Sequence, residues 1–585
     1  MPIENFIETD VLVIGGGMSG LFAAIKAREE GVEVILVDKG YVSRSGATCF
    51  SDCYHAVFNP DWGHNLEDWK EQISISGEYM NNPDWTEITL KESYDRFKEL
   101  TSWGVVVQKD KDGNALKMHM RNTVSEAIWL GRGWTITPLI RKQAVKSGVK
   151  IMDRIMITDL IEQDARVIGA VGFHTRSGDW YVFKSKATVL SAGSGSFKPV
   201  APSILSNHSF DGESIAYRAG AEISGKEFST AAALTYHSKR EDGAWRSIEG
   251  KKVNTFLTDN PSWAFFYTPL IYMGNVVDSE GYDLAGLFAG ATAAHEGRAP
   301  FFVNTTGANR EVIEYALGMA QGDNYRFERL GVDPRERALW SGTMRFEGYI
   351  GLNWGGGGGI ASVDTQGATS LPGLYAAGDN YHSGAIGASY PHGGTGTRNA
   401  AVTGARAGLS AAKFAQNAEE SKLDLAGVNS LKNITYAPLE RKGGFDTVWV
   451  TQQLQNIMFP YYVWIIKHGD RLKAALTMVE FLSNHIAPKI YAKDAHTLCL
   501  VHETKNRILN AEMMLRSALF RTESRGKTYR EDYPRRDDDN WLAWVKIRKG
   551  DDQMILSKSP LPEKWWPDIS RPYKDRYPMR FMGEE

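Results

Sequence analysis

Cysteine is scarce: only Cys49, Cys53 and Cys499 occur in 585 residues. Three thiols cannot build a disulfide framework, and no CxxC run exists to hold an iron–sulfur cluster or a structural zinc. Any cluster serving this chain would have to sit on another polypeptide. Cys49 and Cys53 form a CxxxC pair, which lacks the compact geometry of redox-active CxxC and reads as two reduced, buried thiols. An excess of one charge is also missing, because 67 basic residues nearly cancel 70 acidic ones and leave a net charge of −3. That balance gives no footprint for nucleic acid or an anionic membrane surface. No apolar run approaches the ~20 residues needed to span a bilayer. The opening MPIENFIETD has no basic-then-apolar leader and no twin arginine, so a cytoplasmic location is expected. With 42% hydrophobic and 23% charged residues, the remainder reads as a folded globular protein too long for one core.

What is present begins at Asp10. DVLVI (10–14) is a short apolar run of the kind buried in a parallel sheet. Gly15, Gly17 and Gly20 follow at GxGxxG spacing, then a helix-like stretch from Met18 to Glu30 and a second strand, VEVILV, ending at Asp38. The glycines let the backbone turn tightly and approach a pyrophosphate. The helix start attracts its charge, and Asp38 can accept from a ribose. Strand, helix, strand and terminal acid together specify a Rossmann-like dinucleotide site. ATVLSAGSG (187–195), with Ala192 and Gly193 in its turn, and LPGLYAAGDN (371–380), with Gly378 and Asp379, repeat the strand-then-small-residue pattern. GGTGTRNAAVTGARAG (393–408) opens another helix, whose start, with Thr395 and Thr397, can face a pyrophosphate or flavin oxygens.

These segments resemble those of flavoproteins with two dinucleotide-binding motifs. VIGGGMSGLFAAIKA, FDGESIAYRAGAEI (210–223), GGIASVD (358–364), LYAAGDN and TESRGKTYREDYPRRDDDNWL (522–542) resemble the flavoprotein subunits of succinate dehydrogenase, fumarate reductase and adenylylsulfate reductase, with L-aspartate oxidase as a cousin. The resemblance implies an α/β fold. A Rossmann-like FAD-binding domain at 1–237 and 347–420 is interrupted by an α+β capping domain at 238–346. A helical domain at 421–545 and a tail at 546–585 complete the chain. Helical periodicity in MVEFLSNHIAPKIYAK and TKNRILNAEMMLRSALFR supports the helical domain independently. The tail is expected to wrap a surface. Trp541, Trp544, Trp565 and Trp566 are expected to cover a partner or the protein's own helices, and Asp537 to Asp539 to form a solvated face or a helix start.

Covalent members bond FAD to a histidine in an Arg-Ser-His-Thr context. Here Arg44, Ser45, Gly46, Ala47 and Thr48 stand at that place, so the resemblance implies noncovalent FAD. The expected cofactor contacts are Gly15, Gly17, Gly20, Asp38, Lys39, Ser45, Gly46, Ala192, Gly193, Asp211, Gly378, Asp379, Thr395 and Thr397. Dicarboxylate-handling members carry a histidine before GGI, a His-Pro-Thr and an Asn-Arg pair. Trp354 with glycines, Ala232 to Leu234, and Ser389 with Tyr390 stand there instead, which argues against succinate and fumarate. GASYPHGGTGT (387–397) and HEGRAPFFVN (295–304) are closer to adenylylsulfate reductase, although EFSTAAALTYHSKREDGAWRSIEG departs from it. His392 and Arg298 are thereby the expected substrate-side pair, Arg298 fixing an anionic group and His392 titrating near neutrality as a proton carrier. Tyr390 is expected as an acid or stacking group and Trp354 as a flat wall.

The expected function is a catalytic flavoprotein subunit passing a hydride or electron pair between a small polar or anionic substrate and an iron–sulfur partner in a hetero-oligomer. The alternative is an electron-relay subunit with no small substrate of its own.

Overall fold

The computed structural model describes residues 5–119, 123–197, 208–228, 358–381, 386–464, 466–526, 528–578 and 581, with short stretches between 246 and 342. Arg298, Trp354 and the expected capping segment therefore lie outside the described residues, apart from isolated strands.

The apolar run near the start forms the strand Phe6–Ile14, whose Val11, Leu12 and Val13 are wholly buried. It pairs in parallel with Val34–Asp38 on one side and Trp180–Leu190 on the other. Lys150–Asp153 extends the sheet in parallel beyond Val34–Asp38, while Arg166–His174 and Ile155–Gln163 extend it antiparallel beyond Trp180–Leu190. A seventh strand, Leu374–Ala376, pairs in parallel with the end of Trp180–Leu190. The register matters for function: Ile14 is level with both Val37 and Leu190, and Leu190 with Ala376. Gly15–Gly17, Asp38–Gly40, Ser191–Gly193 and Gly378–Asp379 thus emerge side by side along one carboxyl edge. Open parallel sheets bind ligands there.

The helix Met18–Glu29 is buried on almost every side, as expected of a helix covered by other layers rather than one facing water. The long helix Thr395–Asn417 packs against it. Its GARAG sequence explains the closeness, because a methyl group on Gly404 or Gly408 would meet the backbone of Ser19 or Ala23.

In the C-terminal part the helix Ala495–Phe520 packs against Gly469–Phe481 and Thr447–Met458. It starts with a capping box: Thr497 N donates to Asp494 Oδ1 at 2.7 Å and the Thr497 hydroxyl accepts from Asp494 N at 2.9 Å. The tail does more than wrap a surface. Ala543–Lys549 and Met554–Pro560 form an antiparallel hairpin, and the first of these strands pairs with Ile223–Ser224, which pairs in turn with Gly359–Ile360. Trp541 and Trp544 are buried in this chain, whereas Trp566 is 37% exposed. Within the acidic run, Asp537 caps a short helix by accepting from Asn540 N at 3.2 Å. Asp538, instead of facing solvent alone, accepts from Arg525 Nη2 at 2.6 Å and from the Tyr577 hydroxyl at 2.6 Å. Among the described residues no helix is long and apolar enough to cross a membrane.

Candidate functional site

The carboxyl edge of the sheet opens into a cavity of about 620 Å³, within the size range of cofactor sites. Of the expected cofactor contacts, Gly15, Gly17, Asp38, Lys39, Ser45, Gly46, Ala192, Gly193, Asp211, Asp379 and Thr397 line it, together with Tyr390. Gly20, Gly378 and Thr395 support the lining from behind. A methyl on Gly20 would meet the Gly15 carbonyl and one on Gly378 the Ser19 side chain, and Thr395 Oγ1 lies 3.3 Å from His392 Nδ1. Asp38 organises the glycine turn. Its Oδ2 accepts from Gly16 N at 2.7 Å, and its Oδ1 from Gly40 N at 2.7 Å and the Ser45 hydroxyl at 2.8 Å.

The glycines of the first motif have different jobs. Gly15 has φ +106°, and a Cβ there would lie 2.6 Å from the Ser191 carbonyl carbon and 2.7 Å from Ala192 Cα. A Cβ on Gly17 would meet only Thr48 Oγ1, at 3.7 Å, and would project beside the cavity. Gly15→Ala is therefore expected to lower stability by about 1–3 kcal/mol through backbone strain. Gly17→Leu should fold normally yet weaken FAD binding at least about a hundredfold, equivalent to about 3 kcal/mol. Urea denaturation of the flavin-free chains and FAD titration by fluorescence separate the two. Equal stability loss in both variants would contradict the assignment.

The helix Met18–Glu29 begins at Gly17 with no side-chain cap and no acid in its first turn. Its amides and dipole are thus available to an anion. The helix Thr395–Asn417 begins at Gly394, which also faces the cavity, and its Gly396 N donates to the Tyr390 hydroxyl at 2.6 Å. Burial pushes Tyr390 up to about 12, so it keeps its proton at neutral pH and makes a weak acid. Asp379 faces the cavity with its carboxyl raised to about 6 by burial.

His392 departs from expectation. It is 7% exposed, lies behind the cavity lining, and sets its Nδ1 2.9 Å from the Gly393 carbonyl. Burial first, and the Arg398 charge second, lower it to about 3. It is a neutral imidazole here, not a group titrating near neutrality. Whether it converges with Arg298 lies outside the described residues.

Several lining or supporting residues were not legible as site residues. Asn380 clamps two nucleotide segments together, its Oδ1 accepting from Ala192 N at 2.6 Å and its Nδ2 donating to the Gly193 carbonyl at 2.8 Å. The amide beside Asp379 in LYAAGDN was the available signal. His208, Cys499 and Glu503 also line the cavity. Glu503 reaches it from the helix Ala495–Phe520 by accepting from Lys39 Nζ at 2.8 Å across 464 positions of sequence. At the same point Lys39 Nζ donates to Ser209 Oγ at 2.6 Å and Asp211 Oδ2 at 2.7 Å.

Two groups of lining residues follow from these contacts. Lys39, Thr175, Asp211 and Glu503 gather in one, and Tyr390, Gly394 and Gly396 at the start of Thr395–Asn417 in the other, and the glycine turn, Tyr54 and residues 44–48 line the same cavity. An elongated dinucleotide with its charge at the middle fits that arrangement: positive-φ glycines at Gly15, Gly46 and Gly193 leave room for it, and an uncapped helix start faces it.

Comparison with known proteins agrees. Residues 10–240 match the model of an FAD binding domain, and residues 451–573 match that of the fumarate reductase flavoprotein C-terminus. The chain belongs to the fumarate reductase and succinate dehydrogenase flavoprotein family. It is an FAD-dependent oxidoreductase. The flavoprotein is similar to a fumarate reductase (CoM/CoB) subunit of Methanothermobacter marburgensis, at 25% identity over 91% of this chain and 95% of the relative. It is also similar to an uncharacterized FAD-dependent oxidoreductase of Methanocaldococcus jannaschii, at 26% identity over 90% and 94%. Its fold is that of adenylylsulfate reductase from Archaeoglobus fulgidus, with TM-score 0.74 and 21% identity over 97% of this chain and 98% of that one.

Proposed function

We propose that this flavoprotein exchanges a hydride or electron pair between a small polar or anionic substrate and an iron–sulfur partner subunit. The observation that carries the reading is the single cavity running from the Lys39–Glu503 end to the start of Thr395–Asn417. Asp38, as the ribose partner, assigns the first end to adenosine. The second is left for the isoalloxazine, which supplies the redox chemistry when bound. Met18–Glu29 offers its first turn to the diphosphate. Gly394, Gly396 and Tyr390 position the ring, and residues 238–346 serve as a cap over it. The cysteine count supports a cluster on a separate chain.

The flavin is held without a covalent bond, because Gly46 carries no side chain to form one. The purified protein is expected to be yellow and to release its FAD completely on acid precipitation. Flavin colour remaining with the denatured pellet would overturn this. The missing histidine, His-Pro-Thr and Asn-Arg positions predict that fumarate is not reduced at a useful rate. Steady turnover near the ordinary enzyme value of about 10 per second would refute that prediction.

A second reading, an electron-relay subunit with no small substrate, is favoured by one observation: His392 is neutral and lies behind the lining rather than in it. Copurification under native conditions, followed by turnover of the isolated complex with small oxidants, separates the two readings. A partner with clusters but no oxidant turnover selects the relay.

A further inference from the structure

The charge that the described structure leaves unanswered is Arg398. It is the fourth residue of Thr395–Asn417, where a helical side chain leans back over the first turn. It is wholly buried. Its Nε makes one long contact, 3.3 Å to Asn399 Oδ1, while Nη1 and Nη2 have no hydrogen-bond partner. No carboxylate pairs with it among the described residues. Its neighbours are two imidazoles, His392 and His55, each buried and each with one unpartnered nitrogen, Nε2 and Nδ1 respectively. Both feel the guanidinium charge and are held neutral, His55 at about 4 and His392 at about 3, with burial the larger cause. Burial likewise lowers Arg398 itself to about 10, still cationic at neutral pH. The strand Asp52–Ala56, which carries His55, touches the helix start through Ala56 N and the Gly394 carbonyl at 3.2 Å.

A buried cation with no counter-ion costs several kcal/mol. Thr397, the residue before it, lines the cavity, as do Gly394, Gly396 and Tyr390 around it. The anion is therefore expected from the cavity side. Oxidised isoalloxazine is uncharged. Taking up two electrons and one proton leaves it with one negative charge, delocalised over its pyrimidine half.

We propose that Arg398 is the internal counter-charge for reduced flavin: a buried guanidinium whose Nη1 and Nη2 have no acceptor among the described residues, set behind the Tyr390–Gly396 end of the cavity and flanked by His55 and His392, that makes the bound flavin easier to reduce. It acts across one layer of residues through a poorly screened interior, and so is a positioning residue and not a catalytic one. The assignment rests on the reading that the ring occupies this end.

The test is a spectroelectrochemical titration of the FAD-loaded wild-type protein and its R398Q and R398K variants, with dithionite as reductant. R398Q is expected to bind oxidised FAD normally. Its preference for reduced over oxidised flavin should fall at least tenfold, which is about 30 mV in the midpoint potential of a two-electron couple. R398K should recover most of that loss. An R398Q potential equal to wild type overturns the proposal, as does an R398K potential as low as that of R398Q. Should R398Q not fold, the absorbance of dithionite-reduced wild-type protein decides: it must remain that of the anion across the neutral range, and a protonated, neutral spectrum sinks the idea. Failure of the underlying reading looks different, because Tyr390→Phe would then leave the absorbance spectrum of bound oxidised FAD unchanged.

Discussion

Replacing Lys39 by methionine is expected to cost the folded chain about 3–5 kcal/mol, the usual penalty for breaking a buried ion pair from one side, and to abolish FAD binding. The ammonium group has three hydrogens and three acceptors, Ser209 Oγ, Asp211 Oδ2 and Glu503 Oε1, all within 2.8 Å. Burial works against its charge, yet Asp211 and Glu503 outweigh that and hold it above the usual lysine range. The carboxylates gain in return: burial opposes their ionisation, but Lys39 lowers Asp211 to about 2 and moves Glu503 downward. Without the amine two carboxylates face each other. Ser209 Oγ and Asn506 Nδ2, each at 2.8 Å, still donate to Asp211, and Arg507 Nη2, at 3.4 Å, to Glu503, but none of them replaces the ammonium between the two carboxylates. The helix Ala495–Phe520 would be pushed from the adenosine end of the site. Urea denaturation and FAD titration measure both effects. A stability loss under about 1 kcal/mol would place this cluster among ordinary surface ion pairs. Adding Glu503→Gln to the Lys39→Met variant should restore part of the loss, because it removes the repulsion.

Acid is expected to unfold the protein before most of its carboxylates are protonated; Asp379, raised to about 6, takes up its proton in the same window and offsets part of the loss that the histidines cause. His55, His208 and His502 are lowered to about 4 and His392 to about 3, burial being the first cause in each. Nearby cations add to it: Arg398 for His55 and His392, Lys39 for His208, and Lys505 for His502. A histidine whose folded pKa lies below its unfolded value binds fewer protons in the native state. Its neutral form costs nothing above about pH 6.5, and stability falls as pH drops from there toward the folded value. At about 1.4 kcal/mol per unit, four such groups withdraw on the order of 10 kcal/mol. That is comparable with the whole stability of a typical domain, about 5–15 kcal/mol. Asp211 acts in the same direction, but only below about pH 4, where its unfolded form begins to take up protons. Circular dichroism and tryptophan fluorescence followed from neutral to about pH 4 should show a steep cooperative loss with uptake of about four protons. A native spectrum persisting to about pH 4 would show that these imidazoles are not held neutral.

What could be read in the sequence was what the backbone dictates locally. Gly15, Gly17, Gly20 and Asp38 were legible because turn sterics and ribose chemistry fix them within a short span. The second and third segments were legible because each repeats a strand-then-small-residue signature. Pairings across the chain were not. Nothing in the neighbourhood of Glu503 marks it as Lys39's partner, since the contact depends on how the C-terminal helix docks. Arg398 sits in RNAAV, where an arginine ordinarily reaches solvent, so only packing reveals its burial. His392 was legible as a residue near the site, but its protonation state depends on a neighbour and a degree of burial that spacing does not carry. The strands of the tail were not legible either: MILSKSP does not alternate apolar with polar residues, so it lacks the period of a one-sided strand.

The pairing of Ile223 with Ile360 and of Ser224 with Gly359 has a consequence for how such a chain can change. Gly358 and Gly359 lie so close to Ser224, Lys226 and Tyr381 that a methyl group on either would meet their backbone. The described residues that flank the stretch 229–357 thus meet at one pair of strands, with Lys226, Glu227 and Phe228 still buried in the frame. Closing a loop costs only about 0.6 kcal/mol more for each doubling of its length. The length of chain between two such paired strands can therefore change at small cost in loop closure. A short turn joining residue 228 to residue 358 is the minimal form of the same frame, because it keeps the buried Glu227–Arg521 pair and the packing of Phe228 on Trp544.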